Sequence, residues 1–476
     1  MSRPAPGAGK GVLWTVALGL MLVPLNSTMI IVALPSLIDD FSASVGAASW
    51  LVTSYLIAMA SLQPVAGKLG DRMGRRPLML GGLGWFALSS AGAAASWSLG
   101  SLIFFRVQQA VAAALLVPNG IALLREVTPG GQLGKRIGLV GATLPLAAAI
   151  GPPLGGLLIE AGGWQAIFLV NLPFLVSSLL LGWRSVPRQD RPIPRGGFDL
   201  AGGLGLTTLL VGTAALGKSV WSGPASAIVA VALAAVLAVF VRRELRHPDP
   251  VLQPRLFARA RFSAANAAVA ASNLAMYVTL VALSILLARR DGWSAGRTGL
   301  ALAALSLAAC ALAPVGGRLT DRLGRRIPAT CGLALLALSL APLAVAPADI
   351  PLPILAGALV AGGAGLGLAS SALQLVAIES VEAASTGVAA GVFSTSRYFG
   401  SIVGTSLLAG ALAPSASGPA GFRPIFLLAT LAAAASAMLG LAFPGRGALD
   451  PMRATTAPAR SESESLQPAR SAPRAR

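Results

Sequence analysis

A chain of 476 residues that is 55% hydrophobic and only 11% charged, with a mean hydropathy of +0.76, is excluded from the ordinary soluble globular class, whose surface needs far more charge. The net charge of +19 raises nucleic acid as a partner, but the placement of the basic residues between apolar runs excludes it. Two cysteines and one histidine supply no disulfide framework and no metal-ligand or triad pattern, so no cofactor, metal or catalytic residue is expected. Ala, Gly and Leu carry the apolar content, and small residues let helices pack closely in lipid.

Crossing about 30 Å of hydrocarbon takes about 20 apolar residues in a helix. Fourteen such runs follow one another. Four lie near 12–34, 48–69, 77–95 and 99–123, and the first carries Asn26 and the fourth Arg106 and Gln109. The fifth, near 137–159, holds Gly151-Pro152-Pro153-Leu154-Gly155-Gly156, which bends a helix and strips it of bulk. The sixth lies near 164–183, followed by an inserted pair near 200–217 and 223–241. Six more lie near 262–287, 298–316, 327–347, 351–376, 385–411 and 422–443. The even count puts both termini on one side. The segments on that side hold most of the 36 Lys and Arg, so the positive-inside rule makes them cytoplasmic. The tail, rich in Pro, Ser, Ala and Arg, reads as disordered.

The loop after the second run reads Gly67-Lys68-Leu69-Gly70-Asp71-Arg72-Met73-Gly74-Arg75-Arg76; after the tenth run it reads Gly317-Arg318-Leu319-Thr320-Asp321-Arg322-Leu323-Gly324-Arg325-Arg326. A basic loop explains the arginines but not the matched Gly, Leu and Asp, so the chain contains a duplicated unit. The organisation expected is an all-α integral membrane fold. A six-helix bundle spans 12–183, a linker with two extra helices 184–261, a second six-helix bundle 262–443, and a tail 444–476. Each motif aspartate is suited to a neighbouring helix N-terminus, and the arginines to carboxylates or lipid phosphates, contacts that make and break as a gate.

These loops resemble the signature of the major facilitator superfamily, and further stretches narrow the resemblance to its fourteen-span drug:proton antiporters. They are Leu25 to Pro35 ending span 1, Trp50 and Tyr55 in span 2, Arg106-Val107-Gln108-Gln109-Ala110 in span 4, the Gly151–Gly156 antiporter motif, and Gly387 with Arg397-Tyr398-Phe399-Gly400 in span 13. The resemblance covers roughly 12–443 and implies alternating access with proton antiport. In two places the chain departs from it: Asn26 stands where the branch has an acid, and Ile31 where it has an asparagine.

None of the 17 acidic residues lies deep in a span. A proton carrier is therefore sought at a boundary, with Glu160 the first candidate and Arg106 its expected neighbour if their helices adjoin. An arginine within a span faces a cavity or a partner. Arg106 reads as cavity-facing or snorkelling, Arg397 as functional or as a strut to backbone carbonyls. Asn26, Arg106 with Gln109, Asn273 with Tyr277, and Ser370 with Gln374 are polar positions that could line a substrate cavity or bond between helices. Cys310 and Cys331 read as small core residues, and His247 as a loop histidine without a metal or catalytic partner.

The expected protein is a monomeric exporter of small lipophilic or amphipathic compounds in a bacterial-type inner membrane, coupled to protons. A dedicated single-metabolite exporter without proton coupling is the alternative. A membrane-embedded enzyme or sensor is disfavoured, since no acid/His/Cys cluster and no soluble domain is visible.

Overall fold

The computed structural model describes residues 8–128, 130–187, 199–220, 225–248, 250–345, 350–382, 385–412 and 419–445. The expected tail, apart from its first two residues, and part of the expected linker lie outside them. Fourteen long helices occur among the described residues, one for each apolar run. They are α1 Ala8–Asp40, α2 Trp50–Met73, α3 Arg75–Ala94, α4 Leu99–Val127, α5 Gly130–Gly162, α6 Asn171–Ser185 and α7 Leu200–Ser219. The rest are α8 Ala225–Arg246, α9 Ala260–Asp291, α10 Ala295–Leu323, α11 Arg326–Val345, α12 Leu352–Glu379, α13 Thr386–Ala411 and α14 Arg423–Gly440. Among the described residues, eleven helical segments are long and apolar enough to cross a membrane. Leu88, Val231 and Leu338 lie bare on the outside, a surface that lipid satisfies and water does not.

The duplication is visible in the packing. In the first bundle α1 packs on α5 and α6, α4 on α2 and α3, and α3 on α6. In the second, α9 packs on α13 and α14, α12 on α10 and α11, and α11 on α14. Each pairing recurs eight helices later. Between the bundles, α5 meets α10 while α2 meets α13, again a related pair, and α1 meets α9. Close seating depends on glycine. A Cβ on Gly151 would fall 3.1 Å from Leu25 O of α1, and one on Gly155 3.1 Å from Met29 Cα. Gly400 and Gly404 of α13 do the same against Ala270 O and Leu274 O of α9, at 1.8 and 2.9 Å.

The inserted pair is asymmetric. Helix α7 lies against α2 and α13, spanning that seam, while α8 packs mainly on α7. Lys218 near the end of α7 donates to Gly46 O at 2.8 Å and sits 4.1 Å from the centre of the Trp50 ring. At the other end Asp199 caps α7, accepting from Gly202 N at 2.7 Å, and pairs with Arg243 of α8. Burial would raise the Asp199 carboxyl, but the hydrogen bonds from Arg243 and Gly202 outweigh it and hold the group below its ordinary range. His247 joins this clasp 3.8 Å from Asp199. The loop histidine therefore has an acid for a neighbour, in a structural setting. The cysteine expectation fails: Cys331 is exposed and Cys310 half-buried. In a bilayer a small apolar side chain is as comfortable facing lipid as facing the core.

Candidate functional site

The two motif loops form equivalent turns. Gly74 (φ 88°) and Gly324 (φ 84°) both adopt the left-handed conformation that favours glycine, which fixes their place in the repeat. The arginine after each makes the ion pairs. Arg75 reaches Asp71 and Glu126, each at 2.7 Å. Arg325 forks onto Glu379 at 3.1 and 2.7 Å and donates to Thr320 O at 2.9 Å. Asp71 accepts a hydrogen bond from the side chain of Arg75, the first residue of α3. Asp321 lies close enough to Arg325 to add to its field. The ion pairs described at this end, including Arg259 with Glu382, each lie within one bundle.

The contacts that join the bundles lie at mid-depth and toward the opposite end. Thr53 and Thr405 share a hydrogen bond of 3.1 Å, and Ser284 donates to Ile31 O at 2.7 Å. The antiporter motif is part of this seam. A Cβ on Gly156 would fall 2.4 Å from Ala295 O of α10, and one on Gly299 2.2 Å from Pro152 O. Just beyond, the Glu160 carboxylate accepts from Gly296 N at 3.0 Å, in the first turn of α10. Glu160 is therefore a helix-end contact between bundles, and the expected Arg106–Glu160 neighbourhood is not formed. The intervening helix turns point them to different partners.

Arg106 is completely buried and does not snorkel. Its guanidinium donates to Asn26 Oδ1, to Gln109 Oε1 at 3.0 Å and to Leu51 O at 3.3 Å, and lies 4.3 Å from the centre of the Tyr55 ring. Gln109 in turn donates to Ser90 at 2.8 Å. The i,i+3 pair on α4 is thus real, and α1 and α2 complete it. Arg106 Nη2 and Asn26 Nδ2 have no hydrogen-bond acceptor among the described residues.

Tyr277 of α9 crosses to the first bundle, sharing a hydrogen bond of 3.2 Å with Ser27, while Gln63 of α2 donates to Tyr398 of α13 at 3.3 Å. The chain has three tyrosines, Tyr55, Tyr277 and Tyr398, and all three lie within electrostatic reach of one another. Tyr277 is also in reach of Arg106 and Arg397. Arg397 is exposed beside the Tyr398 ring, at 5.6 Å, and among the described residues its guanidinium has no backbone carbonyl partner, which counts against the strut expectation. Asn273 instead turns to Val269 O of its own helix at 2.9 Å, and Gln374 with Ser370 forms an exposed polar stripe on α12. Ser27, Gln63, Tyr55 and Tyr398 escape a search for polar pairs at helical spacing. The rarity of tyrosine was the available signal.

Two repeat-related helical bundles in a membrane, meeting around a buried polar centre and held together mainly on one side of it, define a transporter and not an enzyme. The family model described as Major Facilitator Superfamily matches residues 16–242 and 265–474. The chain belongs to that superfamily, as a multi-pass membrane protein. It is 35% identical over 396 residues to the Uncharacterized MFS-type transporter YvkA of Bacillus subtilis (strain 168), covering 83% of this chain and 88% of that one. It is 31% identical over 320 residues to the Tetracenomycin C resistance and export protein of Streptomyces glaucescens, covering 66% of this chain and 59% of that one. The crystal structure of a bacterial homolog of the human lysosomal transporter Spinster shares the fold, with a TM-score of 0.67 at 16% identity over 92% of this chain and 98% of that one.

Proposed function

We propose that this protein exports small lipophilic or amphipathic compounds by alternating access of its two bundles around the tyrosine–arginine centre, in antiport with protons. The observation that carries this reading is the convergence of Tyr55, Tyr277, Tyr398, Arg106 and Arg397 at the bundle interface. It offers aromatic faces and a few polar groups in an otherwise apolar wall, the composition of a small-molecule site. A relative named for resistance and export is consistent with the direction. The basic-loop end is cytoplasmic in this reading, by the positive-inside rule.

The proton acts at Glu160. Its carboxylate ties α5 to the first turn of α10, and a negative charge there is favoured by the helix end. Protonation from the outer side removes that charge and frees the seam to open. The test is a panel of labelled drugs and dyes in vesicles holding the purified protein, with and without a pH gradient, together with proton release on substrate addition. Flux that responds to the gradient in wild type and loses the response in Glu160→Gln supports the reading. Equal proton release from both proteins removes Glu160, and flux without any gradient response removes the antiport.

A further inference from the structure

The centre has an uneven charge. The acidic residues described all lie at helix ends or between helices, Glu126, Glu160 and Asp321 among them, and none reaches mid-depth. Two arginines do. Arg106 is sealed among neutral partners, the amides of Asn26 and Gln109 and the Leu51 carbonyl. Buried polar atoms are nearly always paired, yet Arg106 Nη2 and Asn26 Nδ2 both remain donors without an acceptor among the described residues. Arg397 stands exposed 5.6 Å from the centre of the Tyr398 ring and within electrostatic reach of Tyr277.

Resting on the export reading above, we propose that the compounds taken at this centre are lipophilic anions, an apolar body bearing a carboxylate or sulfonate. Arg397 makes the direct contact, and Arg106 supplies a fixed positive field behind it. A cationic solute meets two like charges there and no carboxylate. An anion meets the planar, multi-donor group best suited to an acid. The tyrosine rings and apolar helix faces take the body.

The assignment also accounts for Asn26. An acid at that position would neutralise Arg106 and cancel the field. An anion leaving a cell also moves with the membrane potential, which supports roughly a 50-fold concentration ratio per 100 mV for one charge. Part of the driving force therefore needs no carboxylate on the path.

The test uses the full-length protein in lipid nanodiscs, with empty nanodiscs as baseline, and equilibrium dialysis of three dyes. They are anilinonaphthalene sulfonate, phenylnaphthylamine (the same ring system without the sulfonate) and ethidium as the cation. The expected result is binding of the sulfonate at least about tenfold tighter than of the other two, the scale of one charge-assisted hydrogen bond. Arg397→Gln should lose about that tenfold for the sulfonate and leave the neutral dye within about twofold, while Arg397→Lys should keep most of the preference. Retention of neutral-dye binding shows that the variant is folded. Equal or tighter binding of the neutral or cationic dye, or sulfonate binding indifferent to Arg397→Gln, overturns the assignment. The same dyes in reconstituted vesicles separate the two readings. Protein-dependent flux that prefers the cation sinks only the anion assignment, whereas no protein-dependent flux of any dye strikes the export reading itself.

Discussion

Glu160 of α5 accepts a hydrogen bond from the backbone of Gly296 in the first turn of α10, so one carboxylate spans the two halves of the molecule. A carboxylate at the N-terminus of a helix contributes about 0.3–1 kcal/mol, offset in part here because Glu160 lies in the last turn of α5, which still leaves a contact able to bias a balanced gate. Glu160→Ala should therefore loosen this seam. The readout is a cysteine at Thr53, fully buried where it bonds Thr405, labelled from the end opposite the basic loops. Labelling should speed up several-fold in the Glu160→Ala background, and an unchanged rate would show that the contact does not hold the gate.

Glycine at the same seam makes a steric prediction. A methyl group at Gly156 would overlap Ala295 O of the other bundle, whereas one at Gly84 of α3 meets nothing within 4 Å. Gly156→Ala should cut transport strongly while Gly84→Ala leaves it near normal, with both proteins reaching the membrane. Equal activity of the two variants would remove the close approach of α5 and α10 from the mechanism.

The repeated ion pairs differ in burial. Arg325 is almost wholly enclosed, against a partly exposed Glu379, while Asp71 is largely open to solvent beside Arg75. Because Glu379 is more than a third exposed, the Arg325 pair is discounted for screening, and Arg325→Ala should cost about 1–3 kcal/mol, mostly through lost hydrogen bonds. Asp71→Asn should cost less than about 1 kcal/mol yet lower transport. Thermal unfolding in detergent and efflux in cells separate the two. Asp71→Asn with full efflux at normal expression would end its role as a gate.

The clasp between the inserted helices has a calculable pH window. The Asp199 carboxyl is depressed in the folded protein, so its contribution is complete above the ordinary carboxylate range near pH 4 and disappears as pH falls through the lower folded value. Asp199→Asn should lower the thermal midpoint throughout pH 5 to pH 8, where the carboxylate is charged and pairs with Arg243, and the difference from wild type should shrink in stronger acid. A difference that already fades near neutrality would mean that another group holds α7 to α8.

Topology is checked with residues that reagents can reach. Met73 in the first motif turn is 60% exposed and Trp97, between α3 and α4, is 80% exposed, whereas Thr320 in the second motif is fully buried and unsuitable. A cysteine replacing Met73 should react only from the cytoplasmic side and one replacing Trp97 only from outside. The reverse pattern would invert the assignment.

The helices and their duplication were legible because both are written along the chain: apolar length sets a span, and the Asp71 and Asp321 loops match in order. The site was legible in part. Spacing brought Arg106 and Gln109 together, since they share one helix face. It could not bring Asn26, Tyr55 or Tyr277 to them, because those meet by the packing of separate helices. Glu160 stands near the end of α5, as its place in the sequence suggests, but its partner Gly296 comes from another helix and is invisible to spacing for the same reason. Hydropathy was silent on Cys331, since lipid and core look alike to an apolar side chain.

Helix α7, which belongs to neither bundle, touches α2 of one and α13 of the other, whereas at the α5–α10 contact the helix that touches both is α1, a member of the first bundle. The two edges of the molecule are therefore unequal. Along one, a strap anchored by Lys218 must bend or slide whenever the halves part; along the other, glycine faces meet carbonyls and the Glu160–Gly296 hydrogen bond must break. A molecule joined in this way should part more readily along the α5–α10 edge than along the α2–α13 edge, with α7 as its spine.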